Sequence, residues 1–443
     1  MRKYILCSVL VTLMISVRAW SIDQVVVISP HRKSIQQEIV PSFKAYYRET
    51  FKVPVEVEWL DQGGAAEALR YVLSRFEKNP KGAQIDLLWG GGEQPAQELK
   101  RLNLLQVYTI PSSLKAEVPA RVGSVALYDQ EETWHAVNLS SFGIFYNKKL
   151  IKLLRMKEPK FWEDLGDPRF FDFLSNADPR RSSSHLTIYT VIVQSLGWEK
   201  GWELLTRIAA NTQKFALSSS APVKAVVSGE AIAALSVDYF AMAKVGELGA
   251  DKLGFDLPEK QTIVNADPIV MLKGAPNPVV AGRFVEFLMG TRAQKLFLLP
   301  KGAKGGPRLS TLDRLGVNRK AYEETEGFRV MPINPFGLQT PSFVLDREHA
   351  TKMQFVFSDL IGAVLVDAHG ELKSTVRLLR DEKRMEDFKS LVYPISDAEL
   401  VKMAEKWNDQ SFRNQTINQW IEKARHFYKL ARTKGTKSGS GMR

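Results

Sequence analysis

The 443-residue sequence holds a single cysteine, Cys7, and only six histidines. One thiol excludes an internal disulfide and any thiolate cluster around a metal. Beyond residue 19 no apolar run approaches the roughly 20 residues that a helix needs to cross a bilayer. Also missing are the HExxH pair of zinc hydrolases, the GxSxG nucleophile elbow, the glycine fingerprints of phosphate loops and dinucleotide sites, and any internal repeat. No arginine-rich helix or aromatic-basic RNA-binding motif occurs, so the basic balance is not read as a nucleic-acid footprint. These absences leave no signature of catalysis, and the expectation is a protein that is not an enzyme.

What is present begins at the N-terminus. Arg2 and Lys3 precede an apolar run from Tyr4 to Val17, and Val17-Arg18-Ala19 supplies small residues at a cleavage point. This is the layout of a secretory signal peptide over residues 1–19 and predicts a periplasmic protein. Cys7 leaves with that peptide, and a cysteine-free mature chain suits an oxidising compartment. The formal charge is +12, from 61 basic and 49 acidic residues; losing Arg2, Lys3 and Arg18 leaves +9. A basic balance suits anionic ligands, and equally suits solubility alone. The Gly-, Ser- and Lys-rich end reads as a disordered tail over residues 431–443. A mature length above 400 residues exceeds one core, so at least two domains are expected.

Strand-like and helix-like segments alternate. Val25 to Ile28 reads as a strand, Ser34 to Tyr47 as a helix; Val53 to Trp59 and Ala65 to Phe76 repeat the unit; Ile85 to Trp89 starts a third. Each strand breaks at a turn: Ser29-Pro30-His31, Asp61 to Gly64, and Gly90-Gly91-Gly92. Three such units predict a parallel α/β sheet, which binds ligands beyond the carboxyl ends of its strands. Trp134 to Tyr146 reads as a strand pair or crossing segment, Lys157 to Arg181 as loop, and Ser184 to Ala210 as helix. Ala231 to Val237 reads as a strand ending at Asp238-Tyr239, Thr262 to Lys273 as a strand broken at Asp267-Pro268, and Ala281 to Leu299 as one amphipathic helix.

The order of several segments resembles the periplasmic binding proteins of ABC importers, in the ferric-iron, phosphonate and sugar-phosphate branch of the extracellular solute-binding family. They are VVISPH at Val26 to His31, IDLLWGGG at Ile85 to Gly92, FGIFYNKK at Phe142 to Lys149, FWEDLGDP at Phe161 to Pro168, NADPRRSSS at Asn176 to Ser184, VSGEAIAA at Val227 to Ala234 and KGAPNP at Lys273 to Pro278. The resemblance covers roughly residues 25–300. It implies a two-lobed periplasmic-binding-protein fold of the type II kind, with hinge-crossing strands and lobes that close on a ligand. It further implies a small-molecule ligand, an ABC permease as partner, no catalysis and a monomer. On this scheme residues 20–138 and 263–317 form lobe 1 and 139–262 form lobe 2. Residues 318–430 add a helical C-terminal extension, placed on lobe 1.

The candidate ligand-binding residues gather at strand ends and helix starts. Gly63, Gly64, Gly91 and Gly92 open helices whose N–H groups and dipoles favour an anion; tight-turn geometry is the structural alternative. Ser182, Ser183 and Ser184 precede a helix, where serine is an N-cap or an anion contact. Ser29, His31, Ser141, Asp238 and Asp267 join them by position, and Ser218 to Ser220 form a weaker cluster. Tyr239 bears on the choice of ligand. The resemblance implies that iron-binding members use adjacent tyrosines here with an N-terminal histidine, but this strand ends Asp238-Tyr239-Phe240. The sequence therefore favours a small anionic solute, such as a phosphorylated sugar or phosphonate, with no cofactor. Ferric iron held by His31 and Tyr239 is the alternative cargo, and a sensory solute receptor is the alternative role.

Overall fold

A computed structural model describes residues 22–123, 125–331, 333–337 and 343–436. The signal-peptide segment and residues 437–443 of the tail lie outside these. Lobe 1 starts with β1 (Asp23–Ile28), α1 (Lys33–Phe51), β2 (Val55–Leu60), α2 (Ala65–Lys78), β3 (Leu87–Trp89) and α3 (Glu93–Arg101). Strands β2 and β3 flank β1 in parallel. Val25 and Val27 pack with Phe43 and Phe284 on one side of the sheet, while Val26 and Ile28 pack with Val72 and Leu99 on the other. A strand covered on both faces must be apolar at every position, which is why VVVI does not alternate. Small elements follow: β4 (Leu105–Gln106), α4 (Ser112–Glu117), and the pair β5 (Arg121–Val122) and β6 (Val125–Ala126).

The lobes meet along one long strand, β7 (Trp134–Asn147). After it come α5 (Lys148–Leu153), β8 (Leu174–Ala177), α6 (Ser183–Leu196), α7 (Trp198–Asn211), β9 (Thr212–Ala216), α8 (Ala221–Ser228), β10 (Ala233–Val237), α9 (Asp238–Leu248) and β11 (Leu253–Asp256), which build lobe 2. The chain returns on β12 (Val264–Leu272), followed by α10 (Pro278–Met289), α11 (Thr291–Leu298), β13 (Leu315–Gly316) and α12 (Arg319–Glu324). The main strand order is β2-β1-β3-β12-β7-β10-β8-β9. Residues 134–141 of β7 pair with β12 of lobe 1, and residues 142–146 pair with β10 of lobe 2. The passage between lobes therefore falls at Ser141–Phe142, beside Val264 on the returning strand.

Several sequence expectations are corrected. The segment from Ser184 to Ala210 is two helices parted at Gly197, whose φ of 80° ends α6. Ala281 to Leu299 likewise divides at Gly290. The region from Lys157 to Arg181 contains β8, a buried strand too short to show periodicity. Strand β12 does not break at Asp267-Pro268. It passes through with a register shift, a bulge that accommodates the proline's missing N–H. Helix α16 (Gln410–Thr436) runs past residue 431, where the tail was expected to begin.

The largest correction concerns the extension. Only the part up to Gly337 stays with lobe 1, where Met331 and Phe336 join its core. The helices α13 (Arg347–Ile361), α14 (His369–Asp381), α15 (Asp397–Ala404) and α16 pack on lobe 2, with a π-helical turn at Gly362–Val366. Val356, Phe357, Leu360, Leu372 and Tyr428 share one core with Ile188, Ile192, Trp202 and Leu205. The indole N–H groups of Trp198 and Trp202 donate to the carbonyls of Ile395 (2.7 Å) and Tyr393 (2.9 Å). Helix α6 turns Ser183, Ser184, Thr187 and Thr190 to the cleft between the lobes and buries Ile188, Tyr189, Val191, Ile192 and Val193, a broad apolar surface that serves both lobe 2 and the extension.

Candidate functional site

The carboxyl ends of β1 and β3, the bulge of β12 and the first turns of α2, α3, α6 and α9 converge on a cleft of about 520 Å³ between the lobes. That is within the range of roughly 300–1,000 Å³ usual for small-ligand sites. A smaller cavity of about 330 Å³ lies between α6–α7 and the extension and adjoins the cleft, sharing Thr190, Ala350 and Gln354 with it.

Of the sequence candidates, His31, Gly64, Gly91, Gly92, Ser183, Ser184, Tyr239 and Asp267 line the cleft. Ser29, Gly63, Ser141, Ser182 and Asp238 do not. Ser29 is buried behind His31, and its hydroxyl is 2.8 Å from His31 Nδ1. Gly63 points to solvent beside Asp61. Along β7 successive side chains alternate, so Ser140 takes the cleft position and Ser141 the buried one. There the Ser141 N–H and hydroxyl donate to Asp238 at 2.7 and 2.8 Å. Ser182 is the N-cap of α6: its hydroxyl accepts from the His185 N–H at 3.2 Å and lies 2.7 Å from Ser219 Oγ.

A buried charge network forms the lobe 1 wall. Asp267 takes the Nε2 proton of His31 at 2.8 Å, the Gly92 N–H at 3.3 Å and a guanidinium bond from Arg314. Burial opposes its ionisation, but the charges of His31 and Arg314 and these bonds outweigh burial and hold the carboxyl at about 2. An ionised carboxylate only accepts, so the proton of that contact sits on His31 Nε2 and leaves Nδ1 for Ser29. The His31 ring rests on Trp89, centroids 4.6 Å apart. A Cβ at Gly90 would come within 2.4 Å of that ring, and the backbone there has φ 97°, so glycine is required on both counts. Burial pushes Asp238 and Asp313 each up to about 6, and Tyr239 up to about 12.

The arginines were not singled out from the sequence. Arg32, Arg314 and Arg347 all line the cleft, facing two lining carboxylates, Glu93 and Asp267. Arg314 Cζ stands 4.5 Å from the Tyr239 ring centre. Nε of Arg314 and of Arg32 is buried without a hydrogen-bond partner. Arg32 also donates to the Leu312 carbonyl at 2.5 Å and lies 3.8 Å from Asp313. No local pattern marks these residues, because Arg314 and Arg347 reach the cleft from segments remote in sequence. Among the described residues no group of three or more His, Cys, Asp or Glu side chains could hold a metal.

Residues 92–299 match the family of bacterial extracellular solute-binding proteins. A Salmonella typhimurium phosphoglycerate transport regulatory protein is 23% identical over 203 residues, covering 46% of this chain and 48% of the relative. An uncharacterised Haemophilus influenzae protein is 25% identical, covering 50% of this chain and 63% of the relative. The chain thus spans about half the length of the Salmonella relative. Among solved structures, the periplasmic binding protein AfuA of Actinobacillus pleuropneumoniae, with fructose-6-phosphate bound, aligns with TM-score 0.56 at 19% identity, covering 74% of this chain and 93% of AfuA. Iron-bound HitA of Pseudomonas aeruginosa aligns with TM-score 0.57 at 17% identity, covering 77% of this chain and 99% of HitA. Solute-binding relatives of the iron and sugar-phosphate kinds therefore share this two-lobed fold. Among the described residues no helix is long and apolar enough to cross a membrane.

Proposed function

We propose that this protein is the extracytoplasmic binding component of an ABC importer, a periplasmic clamp that captures a small anionic organic solute and delivers it to a membrane permease. The observation that carries this reading is the pair of cleft-lining guanidiniums, Arg32 with its side chain 34% exposed and Arg314 at 4%, each with a buried Nε that has no hydrogen-bond partner. A buried donor without a partner costs about 1–3 kcal/mol, and an anionic ligand would satisfy it. The exposed hydroxyl of Ser183 and the half-buried one of Ser184 on the opposite wall suit the same chemistry. A phosphorylated sugar or acid fits best, in keeping with the fructose-6-phosphate held by AfuA and the phosphoglycerate in the Salmonella relative's name.

Ferric iron is disfavoured by the donors. Both ring nitrogens of His31 are engaged, Nε2 through its proton. Tyr239 is a lone phenol pushed up to about 12, where a hard trivalent ion wants several anionic oxygens. Sensing in place of delivery is the second reading, favoured by the regulatory name of the Salmonella relative; a neighbouring sensor-kinase gene would select it over permease and ATPase genes. The test is native mass spectrometry with elemental analysis of mature protein purified without refolding. A co-purified, phosphorus-containing organic mass is expected. Stoichiometric iron with a phenolate-to-iron absorption band would overturn the choice of solute.

A further inference from the structure

The extension lies wholly beyond the family match, which ends at residue 299. AfuA is aligned over 93% of its own length yet accounts for only 74% of this chain. About a quarter of the protein therefore falls outside that alignment, and the start of α13, beyond the family match, lines the cleft.

The start of α13 is fixed to lobe 2. Asp346 caps the helix by accepting the His349 N–H at 2.9 Å, and its backbone forms a two-bond pair with the Gln194 amide of α6, at 2.9 and 3.2 Å. Met353, Val356 and Phe357 anchor the following turns in the lobe 2 core. With that face buried, Arg347, Ala350, Thr351 and Gln354 fall on the cleft side at helical spacing. Arg347 bonds the Glu93 carboxylate at the first turn of α3, and its second amino group is 3.3 Å from Asn265 Oδ1 on the returning strand. Glu93 is itself pinned by the Ala266 N–H at 3.3 Å, and burial raises its pKa against the pull of Arg347. The Arg347 side chain is 37% exposed, whereas that of Arg314 is 4% exposed. One guanidinium is thus locked in the lobe 1 wall and the other is free to change partner.

We propose that the C-terminal extension forms a third wall of the ligand cleft, in which Arg347 contacts the ligand's anionic group and Glu93 occupies that guanidinium in the ligand-free chain. The inference rests on the cleft being the solute site. It assigns a specificity-determining role to a segment that the shared fold lacks. A planar guanidinium offers a paired hydrogen bond that lysine cannot match.

The experiment titrates fructose 6-phosphate and 3-phosphoglycerate into the full mature chain by calorimetry, with Arg347→Gln, Arg347→Lys, Gln354→Trp and Arg314→Gln compared to the parent and folding checked by circular dichroism. The expected result is a Kd raised about tenfold or more by Arg347→Gln, less by Arg347→Lys, and a similar loss when Gln354→Trp fills the wall without touching Glu93. Arg347→Gln and Gln354→Trp within about twofold of the parent, with binding lost in Arg314→Gln, would overturn the third wall and leave the solute reading intact. A parent chain that binds neither probe takes down both readings together.

Discussion

On the lobe 1 side of the cleft, His31 and Arg314 both bond Asp267, which also accepts the Gly92 N–H, and the three side chains are no more than 8% exposed. On the opposite side, Ser183 is exposed, Ser184 half-buried, and neither hydroxyl has a protein partner among the described residues, while Arg347 spans the gap at the rim. The first wall is pre-organised: its groups cannot move without leaving a charge buried. The second can still choose its partners. In a clamp that closes, one rigid face to set orientation and one adaptable face to complete the contacts is a workable division, since reorganisation is confined to the face with little to lose.

The comparison is broken most severely at Arg314. Arg314→Gln leaves Asp267 in the wall with only His31 as counter-charge, and removing one member of a buried pair costs about 3–5 kcal/mol. Chemical denaturation should show that loss. A drop below about 1 kcal/mol would mean that the wall is not locked. The same measurement on Arg347→Gln should give about 1 kcal/mol or less, as for partly exposed pairs.

The next test is pH. The folded-state pKa of Asp313 is raised to about 6, so the folded chain binds more protons than the unfolded one between about pH 4 and 6. Asp313 therefore contributes stability present below its unfolded value and lost as pH rises towards 6, and Asp238 does the same. Asp267, depressed to about 2, acts oppositely: its contribution is present above pH 4 and disappears as pH falls towards 2. Asp313→Asn suits a residue at φ 55°, where asparagine is well tolerated. It should lessen the loss of stability from pH 4 to 6, with the share of Asp238 remaining, and leave the acid limb below pH 4 unchanged. An unaltered slope would place the titration elsewhere.

The smallest effects separate neighbours within one serine run. Ser182→Ala removes the N-cap of α6 and should lower stability by about 1 kcal/mol. Ser183→Ala should change stability by no more than about 0.5 kcal/mol and act on ligand affinity alone. Thermal melts with and without ligand distinguish the two, and equal losses of stability would erase the contrast between cap and cleft hydroxyl.

Much of lobe 1 was legible. The three strand–turn–helix units stand within a few residues of their expected positions, because the buried strands β1 and β3 read as apolar runs, the edge strand β2 alternates, and Gly or Pro marks the turns that follow. His31, Gly91, Gly92 and Asp267, which line the cleft, were picked out by their places at strand ends and turns. Ser141 was chosen where Ser140 lines the cleft, since strand alternation shows which residues share a face but not which face meets the ligand. One signal passed over was the broad apolar surface of α6 from Ile188 to Val193, which calls for a partner beyond the sheet.

By itself the sequence determined the alternation of strands and helices in lobe 1 and the glycine turns that open α2 and α3. These follow from local spacing and residue type. Only the tertiary structure decided that the extension covers lobe 2, that Arg314 neutralises Asp267 47 residues away, and that Arg347 meets Glu93 across 254 residues of chain. Pairing a charge in a buried wall depends on which segments the core brings together, and core packing responds to total apolar surface rather than to order along the chain.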